Sequence, residues 1–375
     1  MHMTIGVLRE SDPETRVSLL PEHLATFKKM NVSVALEEHA GEQAYASDDS
    51  YRAAGASITS REGVIQQADV LLSINLPAGG EPGLWASKVL LGNYTPLFNF
   101  REIKKLADVQ ATVFSIDMIP RTTRAQTMDV LSSQANIAGY KAVLVAANMF
   151  PHYFPMFMTA AGSIPPARVL VLGAGVAGLQ AVATARRLGA VVEVFDTRPA
   201  VREEVMSLGA RFVEVEGAAD ASKAGGYAVE QSADFQERQK RKIAERVAKS
   251  DIIITTAQIP GKKAPVLITE DMLALMKEGS VIIDLAAATG GNTALTRDRE
   301  TVVHHGIRIV GDSLLPASMP YDASKMYGKN IQNFLALITG IDGSLHLNFD
   351  DDLVRGTCMA HGGKIVNERV QSLLG

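Results

Sequence analysis

In the first third of the chain, short β-branched runs alternate with segments whose apolar residues recur at helical spacing. Thr4 to Leu8 reads as a strand and Pro21 to Met30 as an amphipathic helix. Val32 to Leu36, Asp69 to Ile74 and Ala111 to Ile116 read as further strands. Strands spaced by helical segments predict βαβ units around a parallel sheet. The pattern changes at Asp129. Val130 to Met149 has few breakers besides Gly139 and is long enough for a helix that bridges two domains. Gly162 to Pro166 then punctuates the chain before a new series begins.

Arg168 to Leu172 is a clear β run. Strand-like segments follow at Val191 to Phe195, Arg211 to Val215, Asp251 to Thr256, Ser280 to Leu285 and Ile307 to Val310, with helical patterns between most of them. This is the signature of a complete doubly wound domain of Rossmann type. The tail carries one more helix, Lys325 to Ile338, and strand-like segments at Ser344 to Asn348 and Arg355 to Met359. Gly217 to Asp234, with Gly225-Gly226-Tyr227 among alanines, serines and charges, interrupts the pattern and reads as a long exposed loop. The predicted organisation is a discontinuous N-terminal α/β domain, 1–131 plus 319–375, and a Rossmann domain, 132–318.

Composition narrows the function classes. Of 375 residues, 47% are hydrophobic and 21% charged, a globular profile with ample core. A net charge of −4 provides no basic field to hold nucleic acid or an anionic membrane surface. The single cysteine, Cys358, excludes an intrachain disulfide and fits a reducing, cytosolic compartment. The start, Met1 to Gly6, shows no apolar signal segment. Val169 to Ala185 is full of glycine and alanine, and Ala142 to Ile164 is broken by Pro151, His152 and Pro155. No stretch therefore reaches the ~20 apolar residues of a membrane helix, and the chain is expected to be soluble.

The strongest chemical signal is Val169-Leu170-Val171-Leu172-Gly173-Ala174-Gly175-Val176-Ala177-Gly178. It follows a strand, opens a helix predicted from Leu179 to Leu188, and precedes a second strand ending in Phe195-Asp196. That context makes it a dinucleotide fingerprint. Gly173 permits the tight turn, Gly175 lets backbone approach a pyrophosphate, and Gly178 allows close packing of helix on strand. The helix N-terminus supplies free N–H groups for the phosphates. Asp196 stands where a carboxylate bonds the adenosine ribose hydroxyls and repels a 2′-phosphate, which favours NAD(H). Arg198 leaves NADP(H) open as the alternative, since a guanidinium receives a 2′-phosphate. A degenerate Rossmann domain without nucleotide is the bland reading of the same motif.

Arg121-Thr122-Thr123-Arg124-Ala125-Gln126-Thr127-Met128-Asp129 precedes the long helix. It reads either as a polar loop in which Asp129 caps that helix, or as a polar cluster reaching toward a nicotinamide. The general acid or base that reduction of a carbonyl needs is missing from any strand-end motif. No cysteine–histidine cluster has metal-ligand spacing, so no metal is expected. Hydride passed between two nicotinamide rings needs no such group, because the cofactor carries the chemistry.

Several segments together resemble a known family. Gly173 to Glu204, with Phe195-Asp196-Thr197-Arg198-Pro199, is similar to the NAD(H)-binding domain I of proton-translocating transhydrogenase. So are Ser132 to Tyr140, Thr255 to Lys262 and Ile283 to Asn292. The resemblance covers essentially the whole chain. It implies that Arg121, Gln126 and Asp129 form a catalytic Arg-Gln-Asp loop near the nicotinamide, with Ser132 a further contact. It implies cofactor contacts at Gly173, Gly175, Val176, Ala177, Gly178, Asp196, Thr197 and Arg198 for the pyrophosphate and adenosine. Gln239 and Gln258 are two more, and Gly226 and Tyr227 match a mobile loop that closes over bound nucleotide.

Alanine dehydrogenases share the fold and the segment Glu14-Thr15-Arg16-Val17. Their substrate lysine would fall in Ser73-Ile74-Asn75-Leu76-Pro77, which lacks one. Their histidine has no counterpart between His39 and His152, and their catalytic aspartate falls on Ala288. Asn75 and Leu76 depart from the transhydrogenase pattern as well. The expected architecture is α/β, two Rossmann-like doubly wound parallel-sheet domains joined by long helices with an NAD(H) cleft between them. The resemblance further implies Re/Si-specific hydride exchange with NADP(H) on a partner component and coupling to proton translocation through a membrane-spanning partner. It also implies a homodimer, peripheral on the cytoplasmic face of the membrane. An alanine- or saccharopine-type dehydrogenase and an NAD(H)-sensing module are the alternatives.

Overall fold

Six short runs dominated by Val, Ile, Leu and Thr form β1 (Thr4–Val7), β2 (Ser33–Glu37), β3 (Ser57–Thr59), β4 (Val70–Leu72), β5 (Val89–Gly92) and β6 (Thr112–Ser115). A hairpin of β7 (Phe157–Thr159) and β8 (Gly162–Ile164) follows. Then come β9 (Arg168–Leu172), β10 (Val191–Phe195), β11 (Arg211–Phe212), β12 (Ile252–Thr255), β13 (Val281–Asp284), β14 (Glu300–His304) and β15 (Ile307–Gly311), and finally β16 (Cys358–His361) and β17 (Lys364–Ile365). The structure is a computed structural model that describes residues 2–77, 82–217 and 232–374. The chain divides into two units, Met1–Gln134 with Ala317–Gly375, and Ala135–Pro316.

Unit 1 is built on an eight-stranded sheet in the order β17-β16-β6-β5-β4-β1-β2-β3. Its six N-terminal strands pair in parallel, and β16 and β17 close one edge in antiparallel fashion. Strand side chains alternate between two cores, as the period of two requires. Val70 and Leu72 join Ile5, Val34, Phe114 and Phe334 on one face, while Leu71 joins Ala35, Leu90 and Ile103 on the other. Burial on both faces is why these strands are continuous apolar runs. The helix Pro320–Leu335 brings Tyr327, Ile331 and Phe334 into the first core.

Unit 2 has a seven-stranded sheet, β11-β10-β9-β12-β13-β15-β14, parallel except for β14. Val169 and Val171 pack with Ala181, Ala185, Ala142 and Ala146 on one face; Leu170 and Leu172 pack with Ile243, Val247 and Met272 on the other. The small alanines let the helices Val130–Met149 and Val176–Arg187 lie close to the sheet and to each other. At Gly139 an added Cβ would sit 2.1 Å from the carbonyl oxygen of Ala177.

Several expectations are corrected. Ser344 to Asn348 forms no strand; Leu345 makes only an isolated bridge to Thr339. Arg355 to Met359 begins as helix (Asp352–Thr357) and becomes β16 at Cys358, because Asp351 caps the Leu353 amide and starts a turn. The segment Pro21 to Met30 is a 3-10 turn followed by Leu24–Lys29. The helix expected from Lys325 begins at Pro320, where proline is already set for the first helical position.

Candidate functional site

The turn after β9 is shaped by its glycines. Gly173 has φ +109°, which a side chain would strain. At Gly178 a Cβ would lie 1.8 Å from the Gly173 carbonyl oxygen, so the position admits only glycine. At Gly175 a Cβ would meet nothing within 4 Å. That open space lies directly before the helix Val176–Arg187, whose first amides have no intrahelical carbonyl to bond. A pyrophosphate fits such a cradle: backbone can approach it, and N–H groups and helix dipole face it. Thr256, just past β12, donates its hydroxyl to the Gly173 carbonyl at 3.1 Å and fixes the turn from the other side.

Asp196, at the end of β10, is buried at 9% exposure. Its Oδ2 accepts the Ala174 amide at 2.7 Å, and its Oδ1 accepts the Arg198 amide at 2.8 Å. The Arg198 guanidinium folds back onto the same carboxylate, Nε at 2.8 Å and Nη2 at 2.7 Å. The Asp196 carboxylate, by bonding and charge, holds the Arg198 pKa above its ordinary value. The carboxylate is thus fixed to the glycine turn and fits the 2′,3′-hydroxyls of an adenosine ribose. Arg198 is half committed to it and is no free receptor for a 2′-phosphate.

In unit 1, Arg121, Gln126 and Asp129 line one cavity of about 290 Å³ with Asp117, Ile119, Pro120 and Leu131. Residues Thr123–Met128 form a 3-10 turn. Asp129 is a helix cap: its carboxylate accepts the Ser132 amide at 2.9 Å and the Ser132 hydroxyl at 2.6 Å. The loop is held from three directions. Arg124 pairs with Asp351 and Asp352, and Asn330 and Asn333 donate to the Thr127 carbonyl at 2.8 and 2.9 Å. Gln126 and Arg121 are exposed. Burial raises the Asp117 carboxyl above its usual range, against the Ser115 hydroxyl at 2.5 Å and the backbone amides of Tyr94 and Thr95.

The remaining expected residues are placed as follows. Val176 is exposed at the helix start; Ala177 and Thr197 are half-buried beside the turn. Gln258, exposed, donates to the Leu285 carbonyl at 2.8 Å. Gln239 lies in the helix Ala233–Val247. Gly226 and Tyr227 lie outside the described residues. Among the described residues, no group of His, Cys, Asp and Glu is placed to hold a metal, and no helix is long and apolar enough to cross a membrane. Cys358 is buried, with its thiol pushed up to about 12.

Two features escaped the sequence reading. One is the clamp of Asp284 and Asn292 beneath the loop that carries Gln258, signalled only by Gly290-Gly291 after a strand-end aspartate. The other is a buried polar group at the C-terminal end of β1. There Arg16 binds Glu14 through Nε (2.7 Å) and Nη2 (2.6 Å) and reaches Gln134 through Nη1 (2.8 Å). Asn75 donates to both Glu10 (3.2 Å) and Glu14 (3.3 Å). At position 288 an exposed alanine stands where an amino-acid dehydrogenase would need its carboxylate.

Residues 6–138 match the family description "Alanine dehydrogenase/PNT, N-terminal domain" and residues 142–368 match "Alanine dehydrogenase/PNT, C-terminal domain". The chain is 44% identical to the first portion of the NAD(P) transhydrogenase subunit alpha of Rhodospirillum rubrum, a separate chain there, covering 97% of this chain and 98% of that protein. The crystal structure of transhydrogenase from Sinorhizobium meliloti superposes with a TM-score of 0.88 at 41% identity, over 97% of this chain and 100% of that one. Alanine dehydrogenase of Staphylococcus epidermidis is more distant, 27% identical over 85% of this chain and 82% of that protein.

Proposed function

The chain belongs to the alanine dehydrogenase/PNT family and, within it, with the NAD(P) transhydrogenase alpha subunits; on that premise we propose that it binds NAD(H) and exchanges hydride with NADP(H) carried by a partner component. The observation that supports this best is the glycine cradle before Val176 with Asp196 tied to its Ala174 amide. When bound, the dihydronicotinamide supplies the hydride; the protein positions it and excludes competing chemistry.

In this reading the amides at Val176, Ala177 and Gly178 hold the pyrophosphate, and Gly173 and Gly175 leave it room. Asp196, Thr197 and Arg198 hold the adenosine. Arg121, Gln126 and Asp129 orient the carboxamide end of the nucleotide, and Ser132, already fixed by Asp129, adds a hydroxyl contact. Gln239 and Gln258 are further contacts, and Gly226 with Tyr227 closes over the bound nucleotide. The protein acts as a homodimer against a membrane-spanning partner on the cytoplasmic face, where hydride exchange is Re/Si-specific and coupled to proton translocation.

The supporting chemistry is also what the site omits. Position 75 is Asn, bonded to Glu10 and Glu14, and position 288 is Ala, so a 2-oxo acid would meet neither lysine nor aspartate there. The test is a fluorescence titration with NADH and NADPH, followed by stopped-flow hydride exchange with an added NADP(H)-binding component. We expect tight NADH binding, much weaker NADPH binding, and transfer only when both components are present. Robust amination of pyruvate by the chain alone would overturn the reading.

A further inference from the structure

The helix-free loop after β12, residues 257–265, is anchored at both ends to one buried side chain. Asn292 is fully buried and all of its amide capacity within this network is used. Its Oδ1 accepts the Ala257 amide at 3.0 Å, and its Nδ2 donates to the Ala257 carbonyl at 2.9 Å and the Pro265 carbonyl at 2.8 Å. The Asn292 backbone is fixed in turn. Its N–H donates to Asp284 Oδ2 at 2.6 Å, and its carbonyl accepts the amides of Leu267 (2.8 Å) and Ile268 (3.0 Å). Asp284, also fully buried, further accepts the Ala286 amide at 2.9 Å and the Thr296 hydroxyl at 2.6 Å.

Between the two anchor points lies Gln258, exposed at the C-terminal end of the sheet, with its amide on the Leu285 carbonyl. The strand order places this loop. β10, which carries Asp196, flanks β9 on one side, and β12 flanks it on the other. A dinucleotide crosses such a reversal with its adenosine on the first half and its other nucleotide on the second. The 257–265 loop therefore borders the half opposite Asp196.

We propose that Asn292 is a positioning residue for the nicotinamide half of the nucleotide, acting through the 257–265 loop and Gln258. It rests on the NAD(H) reading above. Carbonyls of Ala257 and Pro265 face each other across the Asn292 amide, and only a donor there keeps both ends of the loop in place. Asn292→Asp has the same shape but no hydrogen for either carbonyl; Asn292→Ala removes all three bonds.

The experiment uses the full chain with two probes, NADH and ADP, the latter presenting the adenosine and pyrophosphate alone, titrated calorimetrically. We expect Asn292→Asp and Asn292→Ala to weaken NADH binding about tenfold and ADP binding less than twofold. Gln258→Ala, at an exposed position that does not threaten folding, must give the same split. Adding Asn292→Asp to it must weaken NADH little further, since both act through one contact. Equal weakening of NADH and ADP marks a merely structural role and overturns the proposal. So does unchanged NADH affinity in Gln258→Ala. A parent chain that binds ADP but gains nothing from the rest of NADH removes the NAD(H) reading itself, a result distinguishable because no variant is needed to see it.

Discussion

The two units share a strand order and differ in what fills its reversal point. In unit 1 the parallel strands run β3-β2-β1-β4-β5-β6, and in unit 2 β11-β10-β9-β12-β13-β15, each with its first strand at the centre beside the fourth. In open α/β sheets ligands bind in the crevice at that reversal. After β9 the chain turns through Gly173, Gly175 and Gly178 and leaves open space before a helix. After β1 it continues through Glu10, Glu14 and Arg16, and these side chains occupy the equivalent position by bonding each other, Asn75 and Gln134. The same topology thus gives a cradle in one unit and a plug in the other. Topology provides a crevice, and residue chemistry decides whether it holds a ligand.

The largest test of that contrast is a pair of glycine substitutions. Gly178→Val drives a side chain into the Gly173 carbonyl and is expected to abolish NADH binding and lower the unfolding temperature of unit 2. Gly175→Ala meets no atom within 4 Å and sits at φ −80°, so it leaves the melting curve unchanged while weakening NADH at least tenfold by pushing the pyrophosphate away. Calorimetry and NADH titration read both. Full affinity in Gly175→Ala would mean that the open space is not where phosphate lies.

Next is the plug. Glu14 and Arg16 are both buried, at 5% and 9% exposure. Glu14→Ala leaves a buried guanidinium with its main partner gone, expected to cost unit 1 about 3–5 kcal/mol. ADP affinity, which belongs to unit 2, should stay within twofold. A denaturant series that shows less than 1 kcal/mol of loss would show that Arg16 finds another partner or water.

Asp196→Ala follows in size. It frees the Ala174 amide and Arg198 together, and NADH should bind about 1–3 kcal/mol more weakly. NADPH should lose less, since the removed carboxylate is what repels its 2′-phosphate. Equal losses for both nucleotides would count against the specificity role of Asp196.

How much of this was legible depends on burial. The strands β9 and β10 lie where Arg168 to Leu172 and Val191 to Phe195 predict them, because strands buried on both faces are unbroken apolar runs. The edge strand β14 was not foreseen: Glu300, Thr301 and Val303 are exposed, and its pairing with β15 is a matter of the ladder alone. The hairpin β7–β8 is exposed throughout and follows Pro151 and Pro155, so no periodic signal announces it. At the site, the glycine turn and its Asp196 partner are a local pattern with fixed spacing. The Asn292 clamp joins residues 257, 265, 284 and 292, which are brought together only by the sheet. Asp129 satisfies both readings offered for it, since it caps the helix at Ser132 and lines the cavity with Arg121 and Gln126.

The smallest effect probes the plug by pH. Glu10 accepts the Ile74 amide at 2.5 Å and the Asn75 amide at 3.2 Å, yet burial, aided by the nearby Glu14 carboxylate, raises its carboxyl to about 7 from an ordinary 4.5. The folded state therefore holds that proton more tightly than the unfolded chain. Stability linked to Glu10 is fully present below pH 4.5, falls as pH rises from 4.5 to 7, and is constant above. Asp351, drawn down to about 2 from 3.8 by Arg124, acts oppositely: its contribution is present above 3.8 and is lost as pH falls toward 2, outside this window. Glu10→Gln keeps the side-chain length and removes the charge. The gain in unfolding temperature over the parent should be about 3 °C larger at pH 8 than at pH 4.5. A gain equal at both values would mean that Glu10 ionises without cost, and that the position after β1 is open to water like its counterpart after β9.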